Sequence, residues 1–144
     1  MVVTSRSTVT TTEEDTAAEG RRLAASLVPG TVVLLEGELG AGKTAFVRGL
    51  AEGLGLDPAL VSSPTFTIVQ EYRGGAVTLQ HVDLYRLSPA EAADLALEDL
   101  IDDRTVMAVE WPDRLQRSPG AVVVRVALAH VPDGRRITIA PPGR

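Results

Sequence analysis

The segment at residues 37–44 reads G-E-L-G-A-G-K-T and matches the phosphate-binding pattern G-x-x-x-x-G-K-[ST] at every fixed position. Its glycines allow successive backbone N–H groups to turn inward around the α- and β-phosphates of a nucleotide. Lys43, the only lysine in the chain, is predicted to reach the β- and γ-phosphate oxygens. The Thr44 hydroxyl is predicted to bind a Mg²⁺ that bridges them. The alternative, a glycine-rich turn between core elements, requires the whole pattern and both flanks to coincide by chance.

The flanks of this segment predict the order of strand, loop and helix that a phosphate loop requires. Residues 31–35 form a β-branched apolar run directly before Gly37. After Thr44, apolar residues recur at helical spacing up to Leu54. We therefore predict a strand that delivers the loop to a helix ending near residues 53–55.

Helix-start signals occur at two other places. Thr12 is followed by three acidic residues and is predicted to cap a first helix that extends to residues 29–30. Ser88, with Pro89 after it, is predicted to begin a helix that extends to about Asp99 or Asp102.

Strand patterns predict a mixed sheet. The runs 66–72 and 76–82 predict one hairpin, and the runs 122–128 and 137–140 predict another. Residues 105–109 are a short apolar run and predict a buried strand near the centre of the sheet. The order of elements favours an α/β fold with parallel and antiparallel strands.

Composition limits the classes of function. With 144 residues the chain is predicted to form a single domain over 1–144, and no apolar run approaches the roughly 20 residues that cross a bilayer. The amino terminus lacks a secretory apolar region and cysteine is absent, which predicts a cytoplasmic protein without membrane contact. The net charge of −5, basic clusters no longer than a pair and 3% aromatic residues argue against strong direct nucleic-acid binding.

Two acidic residues follow predicted strands and are candidate Mg²⁺ ligands. Asp83 stands where such a carboxylate is usually found, although a simple turn aspartate fits equally well. Glu110 follows four apolar residues, and a poorly solvated carboxylate there favours a role in binding a cation or water over an exposed strand end. Either acid is expected to bind the metal, or one to orient the attacking water while the other holds it.

Other polar positions carry weaker signals. Residues 62–66, S-S-P-T-F, occupy the place of a nucleotide-sensing loop, although a plain connecting loop is the simpler interpretation. His81 and His130 lack partners at metal-ligand spacing and are interpreted as ordinary surface or core histidines. Asp99, Asp102 and Asp103 indicate a solvated acidic face. The chain contains no asparagine, which excludes the guanine-reading N-K-x-D element and favours adenine.

Four segments together resemble one family: 37–44, S-P-T-F at 63–66, H-V-D-L-Y-R at 81–86 and E-W-P at 110–112. In this order they resemble the TsaE family, formerly called YjeE, the small bacterial ATPases of tRNA threonylcarbamoyladenosine (t6A) synthesis. The resemblance implies a phosphate-loop NTPase-like three-layer sandwich whose mixed sheet is flanked by helices. It implies ATP and ADP as ligands with Mg²⁺. It also implies TsaB and TsaD as partners, which transfer the threonylcarbamoyl group to an adenosine of certain tRNAs.

The resemblance also implies roles for individual residues. Lys43, Asp83 and Glu110 would be catalytic, and Thr44, Glu110 and Asp83 would hold Mg²⁺. Ser63 and Thr65 would belong to a switch-like loop. The nucleotide would further be bound by the phosphate loop and by residues bordering the base or ribose: Gly37, Leu39, Gly40, Ala41, Gly42, Lys43, Thr44, Ala45, Thr12, Glu13 and Arg135.

The acidic composition fits a protein that acts on tRNA through partners. Without a resident arginine finger, hydrolysis is expected to be slow in isolation. Arg86 is the only arginine near a predicted site, and a partner could supply another. Two alternatives stay open: a small-molecule kinase, and a nucleotide-gated binding module whose hydrolysis is incidental.

Overall fold

The structure is a computed structural model that describes residues 3–38, 40–61 and 68–142. Within these ranges the strands, in chain order, are β1 Arg6–Thr10, β2 Thr31–Glu36, β3 Val69–Tyr72, β4 Thr78–Asp83, β5 Thr105–Glu110, β6 Val122–Val131 and β7 Gly134–Ala140. The α-helices are α1 Glu13–Ala24, α2 Lys43–Gly53 and α3 Pro89–Asp94. Short 3-10 helices cover Pro58–Leu60, Leu97–Leu100 and Pro112–Arg114.

The seven strands of the described residues form one sheet in the order β1-β7-β6-β2-β5-β4-β3. The four inner strands β6, β2, β5 and β4 pair in parallel, whereas β3, β7 and β1 add antiparallel. The predicted mixed sheet is therefore confirmed. Because β2, β5 and β4 are parallel, their carboxyl ends meet at one edge of the sheet.

Helices cover both faces of the sheet, so the fold has three layers. Side chains alternate along β2: Val33 and Leu35 pack with α1 and α2, while Val32 and Leu34 pack with α3 and the 3-10 helix after it. Burial on both faces explains why β2 and β5 read as continuous apolar runs rather than alternating ones. None of the helices within the described residues has the length and apolarity that a membrane crossing requires.

Two glycines allow α1 and α2 to pack backbone against backbone. A Cβ built on Gly49 would lie 1.8 Å from the carbonyl oxygen of Ala17, and one on Gly20 would lie 2.2 Å from that of Phe46. This contact positions the start of α1 beside the phosphate loop that precedes α2.

Gly49→Ala is expected to destabilise the protein by about 3 kcal/mol, the upper end of ordinary overpacking, because backbone atoms cannot move aside as a side chain would. Thermal unfolding should show a loss of about 10 °C in Tm. Ala18→Val adds bulk on the exposed face of α1 and serves as the control, with little change expected. An unchanged Tm for Gly49→Ala would contradict the described contact between the helices.

Element boundaries differ from the predictions where the chain leaves a helix or strand. The Thr12 cap is confirmed, since its hydroxyl accepts from Asp15 N at 3.0 Å, but α1 ends at Ala24 and not at residues 29–30. Bonds from Ser26 N and Leu27 N to carbonyls three residues earlier tighten the helix end. The helix begun at Ser88 also ends early, at Asp94, because Ala96 takes a left-handed conformation with φ +50.

The strand predictions are correct in kind and inexact in length. The first hairpin pairs Val69–Tyr72 with Thr78–Asp83, and residues 66 and 67 of its predicted first strand lie outside the described residues. The second hairpin is longer than predicted, because β6 continues to Val131. The strand predicted near the sheet centre is β5, which pairs with the central strand β2.

Candidate nucleotide-binding site

The carboxyl ends of three parallel strands bring the phosphate loop and both candidate acids together. The loop follows β2, Glu110 ends β5 and Asp83 ends β4. In the register Glu110 pairs with Leu35 on one side and with Asp83 on the other. Residues that are far apart in sequence therefore lie at one edge of the sheet, where open α/β sheets bind ligands.

The phosphate loop leads directly into the first turn of α2. Gly42, the residue before the helix, has φ +102, a conformation that strongly favours glycine, and no side chain caps the helix at this point. The first N–H groups of α2 therefore lie at the positive end of its dipole without a side-chain cap, which suits an anion. Gly37 is required for another reason, since a Cβ there would lie 2.6 Å from the carbonyl oxygen of Leu128.

Lys43 is held at this helix start and is only 5% exposed. Its Nζ donates to the carbonyl oxygen of Gly37 and lies 3.9 Å from the centroid of the Trp111 ring, a cation–π contact. Burial lowers the pKa of Lys43, and the negative charges of Glu110, Asp83 and Asp113 oppose that shift. A poorly hydrated ammonium at the uncapped start of a helix attracts a polyanion strongly.

Trp111 is placed by an uncommon backbone conformation. It follows β5 directly with φ +59, in the left-handed region that is costly for a residue with a large side chain. Its ring packs on Tyr85, with ring centroids 4.8 Å apart. Arg114 links the segment after β5 to the segment after β4, because its guanidinium donates to the carbonyl oxygens of Leu87 at 3.0 Å and Tyr85 at 3.5 Å.

Two cavities flank the phosphate loop. The first, here called the acidic cavity, measures about 200 Å³, and its lining includes Lys43, Thr44, Asp83, Glu110 and Trp111. The second, here called the threonine cavity, measures about 170 Å³ and lies against the end of β1 and the start of β7. Four residues line both cavities: Glu13, Gly40, Gly42 and Ala45.

The residues predicted to border the base or ribose gather at the threonine cavity. Thr12, Glu13 and Arg135 all line it, and Arg135 Nη2 donates to the carbonyl oxygen of Gly40 at 3.3 Å. Ala41 is fully buried and lines neither cavity. Leu39, Ser63 and Thr65 lie outside the described residues.

The two acids have different surroundings. Glu110 is 4% exposed, so the interpretation of an exposed strand end is wrong. Asp83 is half-buried: its Oδ1 accepts from Tyr85 N at 2.9 Å in a turn, and the residue also lines the acidic cavity, so its role as a Mg²⁺ ligand stays a prediction. Arg86 is exposed.

The sequence alone indicates no role in the site for His81, although the structure places this residue against Glu110. It is a fully buried core histidine, and its Nε2 lies 2.6 Å from Glu110 Oε2. The period-two alternation of β4 places His81 on the same face as Asp83, which was the available signal. The contact with Glu110 depends on the pairing of β4 with β5, which sequence spacing does not show.

The donor set of the acidic cavity fits Mg²⁺. It offers one hydroxyl oxygen from Thr44 and carboxylates from Asp83, Glu110 and Glu13, the last of which also lines the threonine cavity. No cluster of three or more His, Cys, Asp or Glu side chains that could enclose a metal occurs among the described residues. Mg²⁺ is bound in this way in phosphate sites, by one or two carboxylates together with phosphate oxygens and water, rather than in a complete protein cage.

Asp83→Asn is expected to stabilise the protein at neutral pH in the absence of nucleotide and metal. Burial raises the pKa of Asp83 above its usual range, with the charge of Glu110 adding to the shift. The folded state thus binds the proton more tightly than the unfolded state, so the ionised carboxylate costs stability above the raised pKa. The advantage of the variant should shrink as pH falls toward the unfolded value near 3.9, which urea unfolding between pH 7 and pH 4 measures.

Asp102→Asn provides a control of opposite sign. Hydrogen bonds from the Thr105 hydroxyl and the Arg104 N–H lower the pKa of Asp102, so its ionised form stabilises the fold above the unfolded value. Loss of this negative charge should destabilise the protein at pH 7 and should have a smaller effect on stability in acid. Equal responses of the two variants to pH would contradict the environment described for Asp83.

Comparisons with known proteins agree with this architecture. A sequence profile described as "Threonylcarbamoyl adenosine biosynthesis protein TsaE" matches residues 10–137, a range that contains every residue lining the two cavities. The Synechocystis "tRNA threonylcarbamoyladenosine biosynthesis protein TsaE" is 49% identical over 104 residues, 69% of this chain and 66% of that protein. The Bacillus subtilis protein of the same name is 39% identical over 127 residues, 88% of this chain and 79% of that protein.

A solved structure shows the same fold. The crystal structure of Bacillus subtilis YdiB aligns with a TM-score of 0.75 and 33% sequence identity, covering 99% of this chain and 89% of that one.

Proposed function

The chain belongs to the TsaE family, and from this premise we propose that it is a Mg²⁺-dependent ATPase that acts in the biosynthesis of tRNA N6-threonylcarbamoyladenosine. One observation carries the ATPase part of the proposal. A buried ammonium, a hydroxyl and three carboxylates, those of Glu13, Asp83 and Glu110, line a single cavity at the uncapped start of α2. These are the groups that phosphoryl transfer requires for positioning and for charge stabilisation.

The nucleotide is proposed to lie across both cavities. Its phosphates would contact the N–H groups at the start of α2, with Lys43 moving from the Gly37 carbonyl to the β- and γ-phosphate oxygens. The threonine cavity, next to Arg135 and Glu13, would receive the ribose and adenine of ATP or ADP. The shared residues Gly40 and Gly42 lie between the two, where a chain of phosphates would pass.

Thr44, Glu110 and Asp83 are the residues that would hold Mg²⁺. When bound, Mg²⁺ supplies charge neutralisation to the β- and γ-phosphates. Lys43 would add a second positive charge beside those oxygens, and Asp83 or Glu110 would orient the attacking water. Asp83 and Glu110 occupy paired positions on neighbouring strands and both line the cavity, so either could orient the water.

Turnover by the isolated protein is proposed to be slow. No arginine lines the acidic cavity among the described residues, so the chain itself offers no guanidinium there for the charge that develops in the transition state. Partners would complete the site, and we propose that these are homologues of TsaB and TsaD. With a net charge of −5, the protein would meet tRNA through them, in the cytoplasm.

Binding of ATP or ADP with Mg²⁺ is expected to change the fluorescence of Trp111, the only tryptophan in the chain. Its ring contacts the Lys43 ammonium, which the phosphates would draw away. A fluorescence titration with each nucleotide measures the change, and calorimetry provides an independent signal. Absence of both fluorescence change and heat would overturn the proposed function.

The pathway assignment is tested by reconstitution of t6A on tRNA with TsaB and TsaD homologues. Product should form only when this chain and ATP are both present, and product formation without the chain would reject the assignment. Analysis of the phosphate product decides the kinase alternative, because transfer to an acceptor in preference to water would favour a kinase. A rate near 10 s⁻¹ for the chain alone would contradict dependence on partners.

A further inference from the structure

We propose that His81 is a positioning residue that fixes the Glu110 carboxylate for metal binding in the acidic cavity. This inference rests on the proposed function and deepens it. His81 does not line that cavity, whereas Glu110 does, so the histidine acts through the carboxylate.

The contact between the two side chains is short and buried. His81 Nε2 and Glu110 Oε2 are 2.6 Å apart, and the two side chains are 0% and 5% exposed. With Glu110 ionised, Nε2 carries the hydrogen and donates it, because a carboxylate can only accept. A buried carboxylate requires such a donor, since it has lost the water that would solvate it.

The sheet fixes the direction of this bond. His81 lies on β4 opposite Ala108 of β5, two residues before Glu110, so the side chains meet as diagonal neighbours across the parallel pair. On its other side His81 pairs with Gln70 of β3. Strand pairing on both sides fixes the backbone of His81, and the hydrogen bond engages Oε2 of Glu110, so Oε1 is the oxygen that we assign to the cavity.

The contact with Glu110 is the one side-chain hydrogen bond that His81 makes among the described residues. His81 Nδ1 is buried and has no hydrogen-bond partner within the described residues. An apolar side chain of similar size would fill this place without an unsatisfied nitrogen. The polar contact with Glu110 is therefore what a histidine adds here, as when an outer-shell group orients a metal ligand.

Three substitutions separate orientation of Glu110 from filling of space. In His81→Gln the amide nitrogen reaches about the position of Nε2 and can still donate to Glu110. In His81→Asn the amide ends near the position of Nδ1 and falls short of Glu110. His81→Leu fills the space without any donor, and Gln80→Leu is the matched control, because Gln80 is a buried polar residue that points to the opposite face of β4.

Two measurements on full-length protein test the proposal. Electron paramagnetic resonance measures Mn²⁺ binding in the presence of ADP, and Trp111 fluorescence measures ADP binding in EDTA. We expect His81→Asn and His81→Leu to weaken Mn²⁺ binding by about 10–100-fold, with ADP binding in EDTA changed by less than about twofold. His81→Gln should restore most of the Mn²⁺ affinity, and Gln80→Leu should leave it unchanged.

A double-substitution cycle protects the test against a folding defect. In a Glu110→Gln background, His81→Asn should weaken Mn²⁺ binding no further, because the residue that it positions has already lost its charge. Wild-type Mn²⁺ affinity in His81→Asn would overturn this inference alone, as would failure of His81→Gln to exceed His81→Leu. Wild-type protein that binds no ADP would overturn the proposed function itself.

Discussion

Lys43→Ala is expected to weaken ATP binding by about 10–100-fold and to slow hydrolysis by about 10²–10³-fold, without loss of folding. The affinity loss corresponds to one hydrogen bond to a charged group, worth about 1.5–3 kcal/mol. The loss in rate is that expected when a preorganised positive charge is removed from a site where negative charge develops. Calorimetry with ATP and a single-turnover assay measure the two effects separately.

A measurement of stability distinguishes a specific loss of ATP binding in Lys43→Ala from unfolding of the variant. Burial lowers the pKa of Lys43, which means that the folded state holds the charged ammonium at a cost near neutral pH. That cost fades as pH rises through the lowered pKa, and in Lys43→Ala it is absent at every pH. Without nucleotide the variant should therefore unfold at the same urea concentration as wild type or a higher one.

Arg22→Ala is the matched control for Lys43→Ala. It removes one positive charge from α1 at a position that lines neither the acidic nor the threonine cavity. Equal loss of ATP binding in both variants would indicate a general charge effect and would contradict a specific phosphate contact. Unchanged binding in Lys43→Ala would contradict it more directly.

Local signals in the sequence predicted most of the fold because they act over a few residues. The Thr12 and Ser88 caps and the two hairpins each depend on neighbours in the chain; both caps are confirmed, and both hairpins are present with strand bounds that differ from the predicted ones. The predicted helix ends were wrong, because bonds from Ser26 N and Leu27 N tighten the end of α1 and the left-handed Ala96 follows α3. The sheet order was not predicted, because the pairing of β1 with β7 joins the two ends of the chain and leaves no local signal.

The candidate site was predictable only in its separate parts. The phosphate loop carries its pattern in consecutive residues, and Glu110 follows a run too apolar for an exposed strand. His81 and Trp111 lie in two of the segments that carry the family resemblance, but neither segment shows what these side chains contact. The first depends on the register of β4 with β5, and the second on a left-handed backbone that turns its ring under the Lys43 ammonium.

Glu110→Gln is expected to retain ATP binding and to lower the rate of hydrolysis by about 10²–10³-fold. The substitution keeps the shape of the side chain, and its amide oxygen can still accept from His81 Nε2. What it removes is the charge that the acidic cavity would offer to Mg²⁺, so half-maximal hydrolysis should also require more Mg²⁺. A binding isotherm and a Mg²⁺ titration of single-turnover hydrolysis check these expectations.

Glu36→Gln is the control for Glu110→Gln because Glu36 also ends a parallel strand at this edge of the sheet. It is exposed, and its carboxylate lies 3.4 Å from Arg125 rather than in the cavity. We expect ATP binding and hydrolysis to match wild type in this control. Equal loss of hydrolysis in both variants would show that the effect of Glu110→Gln is not specific to the cavity.

Glu110→Gln also decides between an ATPase and a nucleotide-gated binding module. If hydrolysis drives t6A synthesis, Glu110→Gln should bind ATP and still fail in the reconstituted reaction. If nucleotide binding alone is sufficient, the variant should support normal synthesis although its hydrolysis is lost. The module is favoured by that second outcome, because the two acids would then serve to hold Mg²⁺ with ATP and not to complete its cleavage.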